Sequence, residues 1–271
     1  MNLWMKELAE HFEKRRQAYP RDKLLVVFDI DGTILDMRHM ILYVLKSYDA
    51  ELGTRYFEGL DYFDIDFHED HVSSLLERLS IQAQDKTRLL NAFEERLISA
   101  TAFPHSQQPF HGALDVVRWF QGQPNTFVGL NTGRPESLRT NTLNTLNSWG
   151  KQHDVVFLNE LLYMRSLNTM ENIAYAKVAG IDYFKRTGYR IIAFLDNEPE
   201  NLRAVGEADQ HGEILLLHAD TIFKSDINNM PQRVVKGSVY DFTQLIAERM
   251  VNARSDDDGS EETDSDFRRT A

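Results

Sequence analysis

The chain has 271 residues, a formal net charge of −12 and no cysteine. The length suits one large domain or a domain with an insertion, and no apolar run reaches the roughly 20 residues that a membrane-spanning helix needs. The negative charge disfavours a nucleic-acid partner, and the lack of cysteine excludes disulfides and thiolate chemistry. The first residues mix acids with bases and show no signal-peptide pattern. We therefore expect a cytoplasmic protein without a membrane partner.

The first predicted element is an amphipathic helix over residues 3 to 19. Trp4, Leu8 and Phe12 recur at helical spacing, and charged residues fall between them. Acids and bases are too evenly balanced along this stretch for a membrane-surface helix. We expect its apolar face to pack on the domain itself or on a second copy of the chain, so a homo-oligomer formed through this helix is one prediction.

The run LLVVFDIDGTILD, residues 24 to 36, is the most informative part of the chain. It is typical of a buried strand that ends in two acids, Asp29 and Asp31, followed by Gly32, which can turn the chain sharply. Residues two apart on a strand share a face. Two carboxylates at the end of a buried strand are costly unless a cation or a proton compensates them. This cost indicates a functional site.

Four further apolar runs predict strands, and helical patterns separate most of them. Such alternation predicts an α/β fold, with a parallel sheet covered by helices on both faces. Ligands bind these sheets at the carboxyl ends of the strands. Thr132 and Asp196 lie at such ends, as do the two acids of the first strand. The predicted strands cover residues 24–30, 126–131, 155–159, 191–196 and 214–218.

The stretch between the first two strands is far too long for one crossover helix. Helical patterns over residues 72–79 and 86–98 predict an inserted helical domain. Residues 56 to 71 interleave acids with aromatic residues such as Tyr62, Phe63 and Phe67. We interpret these aromatic residues as the core of the inserted domain; an aromatic wall around a substrate is the alternative.

The end of the chain predicts one helix and then a tail. After Asp241 a helical pattern includes Leu245, Ile246 and Met250. Residues 255 to 271 are acidic and nearly free of apolar side chains, which is typical of a disordered segment.

Three short motifs resemble those of the haloacid dehalogenase (HAD) superfamily. They are DIDGT at 29–33, LNTGR at 130–134 and FLDNE at 194–198, in this order and each at the end of an apolar run. The resemblance implies a Rossmann-like core and a helical cap of the C1 type inserted between the first two motifs. The core would comprise residues 1–36 and 105–254, the cap residues 37–104, and the tail residues 255–271.

The resemblance also implies an activity. The chain is similar to the Mg²⁺-dependent phosphatases of the superfamily, which hydrolyse a small phosphomonoester through an aspartyl phosphate. Members that cleave carbon–halogen bonds lack the second acid of the first motif, so Asp31 favours phosphoryl chemistry. A phosphotransferase or phosphomutase of the same superfamily and a non-catalytic HAD-like binding module are the alternatives. The intact set of motif residues speaks against the binding module.

The acidic residues of the motifs are predicted to act in catalysis and to bind the metal ion. Asp29 would be the nucleophile, and Asp31 would protonate the leaving alcohol and then accept a proton from the attacking water. The carboxylates of Asp29 and Asp196 and, by resemblance, the backbone carbonyl of Asp31 would bind Mg²⁺. Asn197 and Glu200 could hold metal-bound water.

The remaining site residues are predicted to bind the phosphate. Thr132 would act in catalysis by donating its hydroxyl to a phosphate oxygen, and Gly133 allows a close approach of the backbone. Thr33 is also predicted to bind substrate. Arg134 is predicted to contact substrate, with a surface ion pair as the alternative.

The third motif of the superfamily is a single lysine, and two positions could supply it. Lys185 lies just before Thr187 and Gly188, at the far end of the helix that leads into the fourth predicted strand. Lys177 precedes the helix-like residues 178–186 and would lie nearer the active edge of the sheet. We therefore predict that Lys177 neutralises Asp29 and the phosphate.

Overall fold

The computed structural model of the protein describes residues 4–101, 103–166 and 172–246. Its centre is a six-stranded sheet with the order β5-β4-β1-β6-β7-β8, and all neighbouring strands are parallel. Strands β2 and β3 form a short antiparallel pair beside it. The predicted α/β fold class is confirmed. The strands are β1 (Lys23–Phe28), β2 (Leu35–Asp36), β3 (Gln108–Pro109), β4 (Thr126–Pro135), β5 (Leu162–Arg165), β6 (Tyr189–Asp196), β7 (Leu215–Ala219) and β8 (Val234–Gly237).

Helices cover both faces of the sheet, which explains the continuous apolar run of β1. Leu24 and Val26 belong to the apolar cluster that includes side chains of α1 and α5, whereas Leu25 and Val27 belong to the cluster of α7 and α8. Successive residues of β1 thus point into different cores. The helices are α1 (Trp4–Ala18), α2 (Met37–Leu52), α3 (Val72–Arg78), α4 (Ala83–Ala100), α5 (Ala113–Gln121), α6 (Arg139–Gly150), α7 (Ile173–Arg186) and α8 (Pro199–Ala208).

The predicted N-terminal helix is α1, and its apolar face packs on the chain's own sheet. Trp4, Leu8 and Phe12 are buried in the main cluster. The Trp4 indole donates a hydrogen bond to the carbonyl of Val239 at 2.6 Å. The apolar face of α1 is therefore buried within the domain itself. A homo-oligomer formed through this helix stays a prediction. Among the described helices, none is both long and apolar enough to cross a membrane.

The strand predicted at residues 155–159 is wrong. Two side-chain amides occupy the backbone groups that a strand would need for pairing. Gln121 accepts from the Val156 N–H at 3.3 Å and donates to its carbonyl at 2.8 Å. Asn147 accepts from the Phe157 N–H at 2.8 Å and donates to its carbonyl at 3.0 Å. The edge strand is instead β5, and β8, which the sequence did not indicate, extends the other edge.

Residues 37–104, which we call the cap segment, contain an apolar cluster of their own. Ile41 and Leu45 of α2 meet Phe93 of α4 there, together with Phe57. The expectation for the aromatic stretch is wrong for Phe63, whose surface is 71% exposed.

The other two aromatic residues named from that stretch differ from each other. Tyr62 stacks on His39 at a ring distance of 4.5 Å, and Phe67 packs against the cap cluster. Residues 247–271, including Met250 and the predicted tail, lie outside the described part of the chain.

Candidate active site

The motif residues meet at the carboxyl edge of the sheet, because β1, β4 and β6 are parallel neighbours. Asp29 directly follows β1, Thr132 lies in the last part of β4, and Asp196 ends β6. Asp29 and Thr132 line a cavity of about 240 Å³, which we call the phosphate cavity. Asp196 is completely buried beside it.

Lys177 connects the two buried carboxylates. Its ammonium forms a short contact with Oδ1 of Asp29 and lies 2.9 Å from Oδ2 of Asp196. It also donates to the carbonyl of Asn131 at 2.7 Å. Burial alone would favour the neutral amine, but the two carboxylates raise the pKa of Lys177, so its positive charge is retained.

Lys185 lies at the opposite end of the same helix. It lines a different cavity, together with Lys23 and Tyr189 from the amino ends of β1 and β6. The structure thus brings Lys177, and not Lys185, to Asp29. It also shows that α7 begins at Ile173, so Lys177 lies within the helix and not ahead of it.

The pKa of the Asp29 carboxyl is raised well above its usual range. Burial raises its pKa to about 8, Lys177 pulls the pKa downwards, and Asp196 and Asp31 push it upwards. A further cation beside Asp29 would lower this pKa and favour the ionised form, which is the nucleophilic one.

Asp31 is bound by Arg134 through a bidentate ion pair. The guanidinium donates from Nε to Oδ2 at 2.7 Å and from Nη2 to Oδ1 at 2.6 Å. It also donates to Gln107 Oε1 at 2.6 Å and to Thr142 Oγ1 at 3.1 Å, so all three side-chain nitrogens are engaged. Arg134 lines the phosphate cavity but is only 7% exposed. Arg134 thus forms an ion pair, as the alternative prediction had it, but this pair is nearly buried and does not lie at the surface, and the guanidinium orients Asp31.

Of the three small residues predicted to act on the phosphate, two line the phosphate cavity and one does not. Thr132 lines the phosphate cavity, and its hydroxyl accepts from the Arg134 N–H at 3.2 Å. Gly133 also lines it, and a Cβ there would lie 3.0 Å from Ile173. Thr33 is fully buried, does not line this cavity, and its hydroxyl has no partner among the described residues.

The oxygen atoms at this edge suit a hard cation. Besides the two carboxylates, Asn197 Oδ1 is buried without a hydrogen-bond partner within the described residues. The Asn197 amide group donates to the carbonyl of Ile222 at 2.6 Å, which fixes the orientation of its oxygen. Mg²⁺ prefers such oxygen ligands and needs only one or two carboxylates from the protein. No three His, Cys, Asp or Glu side chains of the described chain form a metal-binding group.

Glu200 is placed differently from the prediction. Its carboxylate accepts from the Asn172 amide at 3.2 Å and does not line the phosphate cavity. Asn201 lines the cavity instead and donates to both oxygens of Asp196, at 3.0 and 3.2 Å. Sequence reasoning missed Asn201, although its position in the first turn after Pro199 could have indicated it.

No family model matches the sequence, and no curated protein matches it either. Solved structures do match. A structure assigned as a phosphatase from Clostridium difficile has a TM-score of 0.52 at 11% identity over 83% of this chain and 98% of that chain. A structure assigned as a haloacid dehalogenase-like hydrolase from Burkholderia xenovorans has a TM-score of 0.51 at 14% identity, over 85% of this chain and 99% of that chain. A predicted phosphoglycolate phosphatase from Haemophilus somnus has a TM-score of 0.50 at 11% identity, over 83% and 98%.

This chain has the haloacid dehalogenase-like fold. At identities of 11–14% the likeness establishes the fold, as the motif resemblance implied.

The cap segment of this HAD-like fold contributes residues that no motif indicated. His68 and Glu69 line the phosphate cavity, with His68 Nε2 lying 3.3 Å from a carboxylate oxygen of Glu69. Burial raises the pKa of Glu69 to about 7, and the negative charge of Asp31 adds to this. The two residues lie in a short turn at residues 68–71. The sequence of this turn has no motif spacing that would have indicated them.

Proposed function

We propose that the chain is a Mg²⁺-dependent phosphatase that hydrolyses a small phosphomonoester through an aspartyl phosphate on Asp29. The observation that supports this most directly is the buried Asp29 carboxylate beside the Lys177 ammonium, in a cavity that Thr132 also lines. The names of the matched structures, which are hydrolases and phosphatases, agree with it. The cytoplasm stays the predicted compartment.

Each residue has a defined part in the two chemical steps. In the first step, a carboxylate oxygen of Asp29 attacks phosphorus, the bond to the leaving oxygen breaks, and Asp31 gives that oxygen a proton. In the second step, water attacks the same phosphorus, Asp31 takes its proton, and the Asp29 carboxylate is released with inorganic phosphate. Lys177 compensates negative charge in both steps, and Thr132 donates its hydroxyl to a phosphate oxygen.

The oxygen donors fit a magnesium ion. Asp29, Asp196 and Asn197 Oδ1 would hold it, together with the backbone carbonyl of Asp31 that the family resemblance implies. When bound, the ion would neutralise the phosphate oxygens and allow the Asp29 carboxylate to approach them.

The test is hydrolysis of 4-nitrophenyl phosphate by the purified full-length chain. We expect turnover with Mg²⁺, loss of turnover in EDTA, and recovery when Mg²⁺ is added in excess. The Asp29→Asn variant, prepared in parallel, controls for contaminating phosphatases. Equal turnover in EDTA, or no turnover of any phosphomonoester with Mg²⁺, would contradict the proposal.

A further inference from the structure

A second cavity, of about 400 Å³, adjoins the phosphate cavity. The two share Asp31, Met37, Glu69 and Arg134 as lining residues. The second cavity extends from these residues between the cap helices α2 and α4 and the end of β4. Its volume falls within the range of about 300–1,000 Å³ that small-molecule sites occupy. We call it the leaving-group cavity.

The position of Asp31 decides what enters this cavity. If the proposed function is correct, Asp31 protonates the oxygen that leaves, so this oxygen must lie within hydrogen-bond distance of its carboxylate. The attacking residue Asp29 lines only the phosphate cavity, whereas Asp31 lines both. In-line displacement places the nucleophile and the leaving group on opposite sides of phosphorus. The organic part of the substrate is therefore directed into the leaving-group cavity.

Most of the wall of this cavity is apolar. Met40 from α2 and a row of α4 side chains at helical spacing form the cap side, and Leu138 forms part of the core side. Contact with such a wall favours a hydrocarbon body over a polyhydroxylated one, because each hydroxyl removed from water without a partner is costly. The α4 residues are Leu90, Phe93, Leu97 and Ile98.

The charged groups of this wall are acids, apart from one arginine. Asp31, Glu69, Asp70 and Glu94 line the cavity, and Arg134 is the single cation in the described lining. Arg134 already donates from all three side-chain nitrogens to Asp31, Gln107 and Thr142. Asp31 is paired with Arg134 and Asp70 with Lys224, whereas Glu94 forms no ion pair with the described residues. A carboxylate or a second phosphate on the leaving group would thus find no uncommitted cation in the described lining and would lie beside acidic side chains.

We propose that the substrate is a phosphomonoester whose leaving group is apolar and has no negative charge. Substrates such as phosphoglycolate, whose leaving alcohol carries a carboxylate, are excluded by this proposal. The inference rests on the proposed phosphatase function and specifies the substrate class of the same site.

Three matched esters test the proposal: 4-methylbenzyl, 4-(aminomethyl)benzyl and 4-carboxybenzyl phosphate. They are similar in size and differ mainly in a charge remote from the leaving oxygen. With the full-length protein and Mg²⁺, we expect kcat/KM for the carboxylate ester to be at least about tenfold lower than for the methyl ester. The amino ester carries a positive charge instead, and we expect its kcat/KM to lie within about threefold of that of the methyl ester.

Two neighbouring variants separate a local effect of the cavity wall from a change in net charge. Ile98 lines the cavity and is 45% exposed, so Ile98→Lys adds a cation to the wall without opening the core. Ser99 is the next residue of α4, is exposed and lies outside the described cavity lining, so Ser99→Lys adds the same charge elsewhere. We expect Ile98→Lys to raise kcat/KM for the carboxylate ester relative to the methyl ester by about fivefold or more, and Ser99→Lys to leave this ratio unchanged.

The outcomes for the substrate class and for the phosphatase function are distinct. If none of the three esters is hydrolysed, nor 4-nitrophenyl phosphate, the proposed function itself fails. If the esters are hydrolysed and the carboxylate ester is as good as or better than the methyl ester, the phosphatase stands and the proposed substrate class is overturned. An equal response of the ratio to both lysine variants would also overturn it, because the wall would then have no local effect.

Discussion

The carboxyl edge of the sheet and the cap segment are built on different principles. At the sheet edge, Asp29, Thr132 and Asp196 come from three strands, and the parallel pairing of those strands alone brings them together. In the cap segment, an independent apolar cluster supports a turn that presents His68 and Glu69 to the same cavity. Backbone topology therefore positions the motif residues, whereas the helices α2 and α4 and one turn of the cap segment position the groups that line the rest of the two cavities.

Removal of the nucleophile should give the largest effect at the sheet edge. Asp29→Asn changes charge and not shape, so we expect the fold to persist while kcat falls by about 10⁴-fold, as for other essential catalytic groups. The measurement is kcat with 4-nitrophenyl phosphate, with the thermal midpoint recorded alongside. Asp182→Asn, an exposed acid on α7, is the control and should keep full turnover. A fully active Asp29→Asn would remove Asp29 from the chemistry.

Within the cap segment, two phenylalanines should respond in opposite ways. Phe57 is completely buried, so Phe57→Ala should lower the free energy of unfolding by about 3–5 kcal/mol. Phe63 is 71% exposed, and Phe63→Ala should change it by about 0.5 kcal/mol or less. Urea unfolding of both variants measures the difference. Similar losses for the two would contradict the arrangement of the cap.

The two lysines of α7 test the direction of that helix. Lys177→Met should raise the barrier of the reaction by about 3 kcal/mol, because it removes a preorganised positive charge from the developing negative charge. Lys185→Met, at the opposite end of the helix, should leave kcat unchanged. Steady-state kinetics give kcat for both variants. An inactive Lys185→Met together with an active Lys177→Met would show that Lys185, and not Lys177, is the lysine of the site.

The smallest expected effect concerns the ion pair of Asp31. Arg134→Lys keeps the charge but cannot reproduce a bidentate contact, so we expect about 2 kcal/mol of lost stability from this nearly buried pair. Arg139 pairs with Glu136 in a half-exposed setting, and Arg139→Lys should cost about 0.5 kcal/mol or less. Equal costs measured by urea unfolding would show that burial does not distinguish the two pairs.

The sequence predicted those features that depend on strand ends and helix direction. Asp29 and Asp196 lie where apolar runs end, and helix direction placed Lys177 nearer to them than Lys185. The sequence did not predict the pairing of Arg134 with Asp31, because this pairing joins distant parts of the chain through a side-chain rotamer. Periodicity also failed at residues 155–159, because it cannot show that the amides of Gln121 and Asn147 occupy the backbone there.

In the proposed reaction the phosphoryl group is transferred to Asp29. The direct test is an acid quench of the enzyme during turnover of a radiolabelled phosphomonoester, followed by peptide mapping and hydroxylamine treatment. We expect label on the peptide that contains Asp29, released by hydroxylamine as an acyl phosphate is, and no label on Asp29→Asn. Label on another residue, or hydrolysis without a labelled protein at any quench time, would contradict the account.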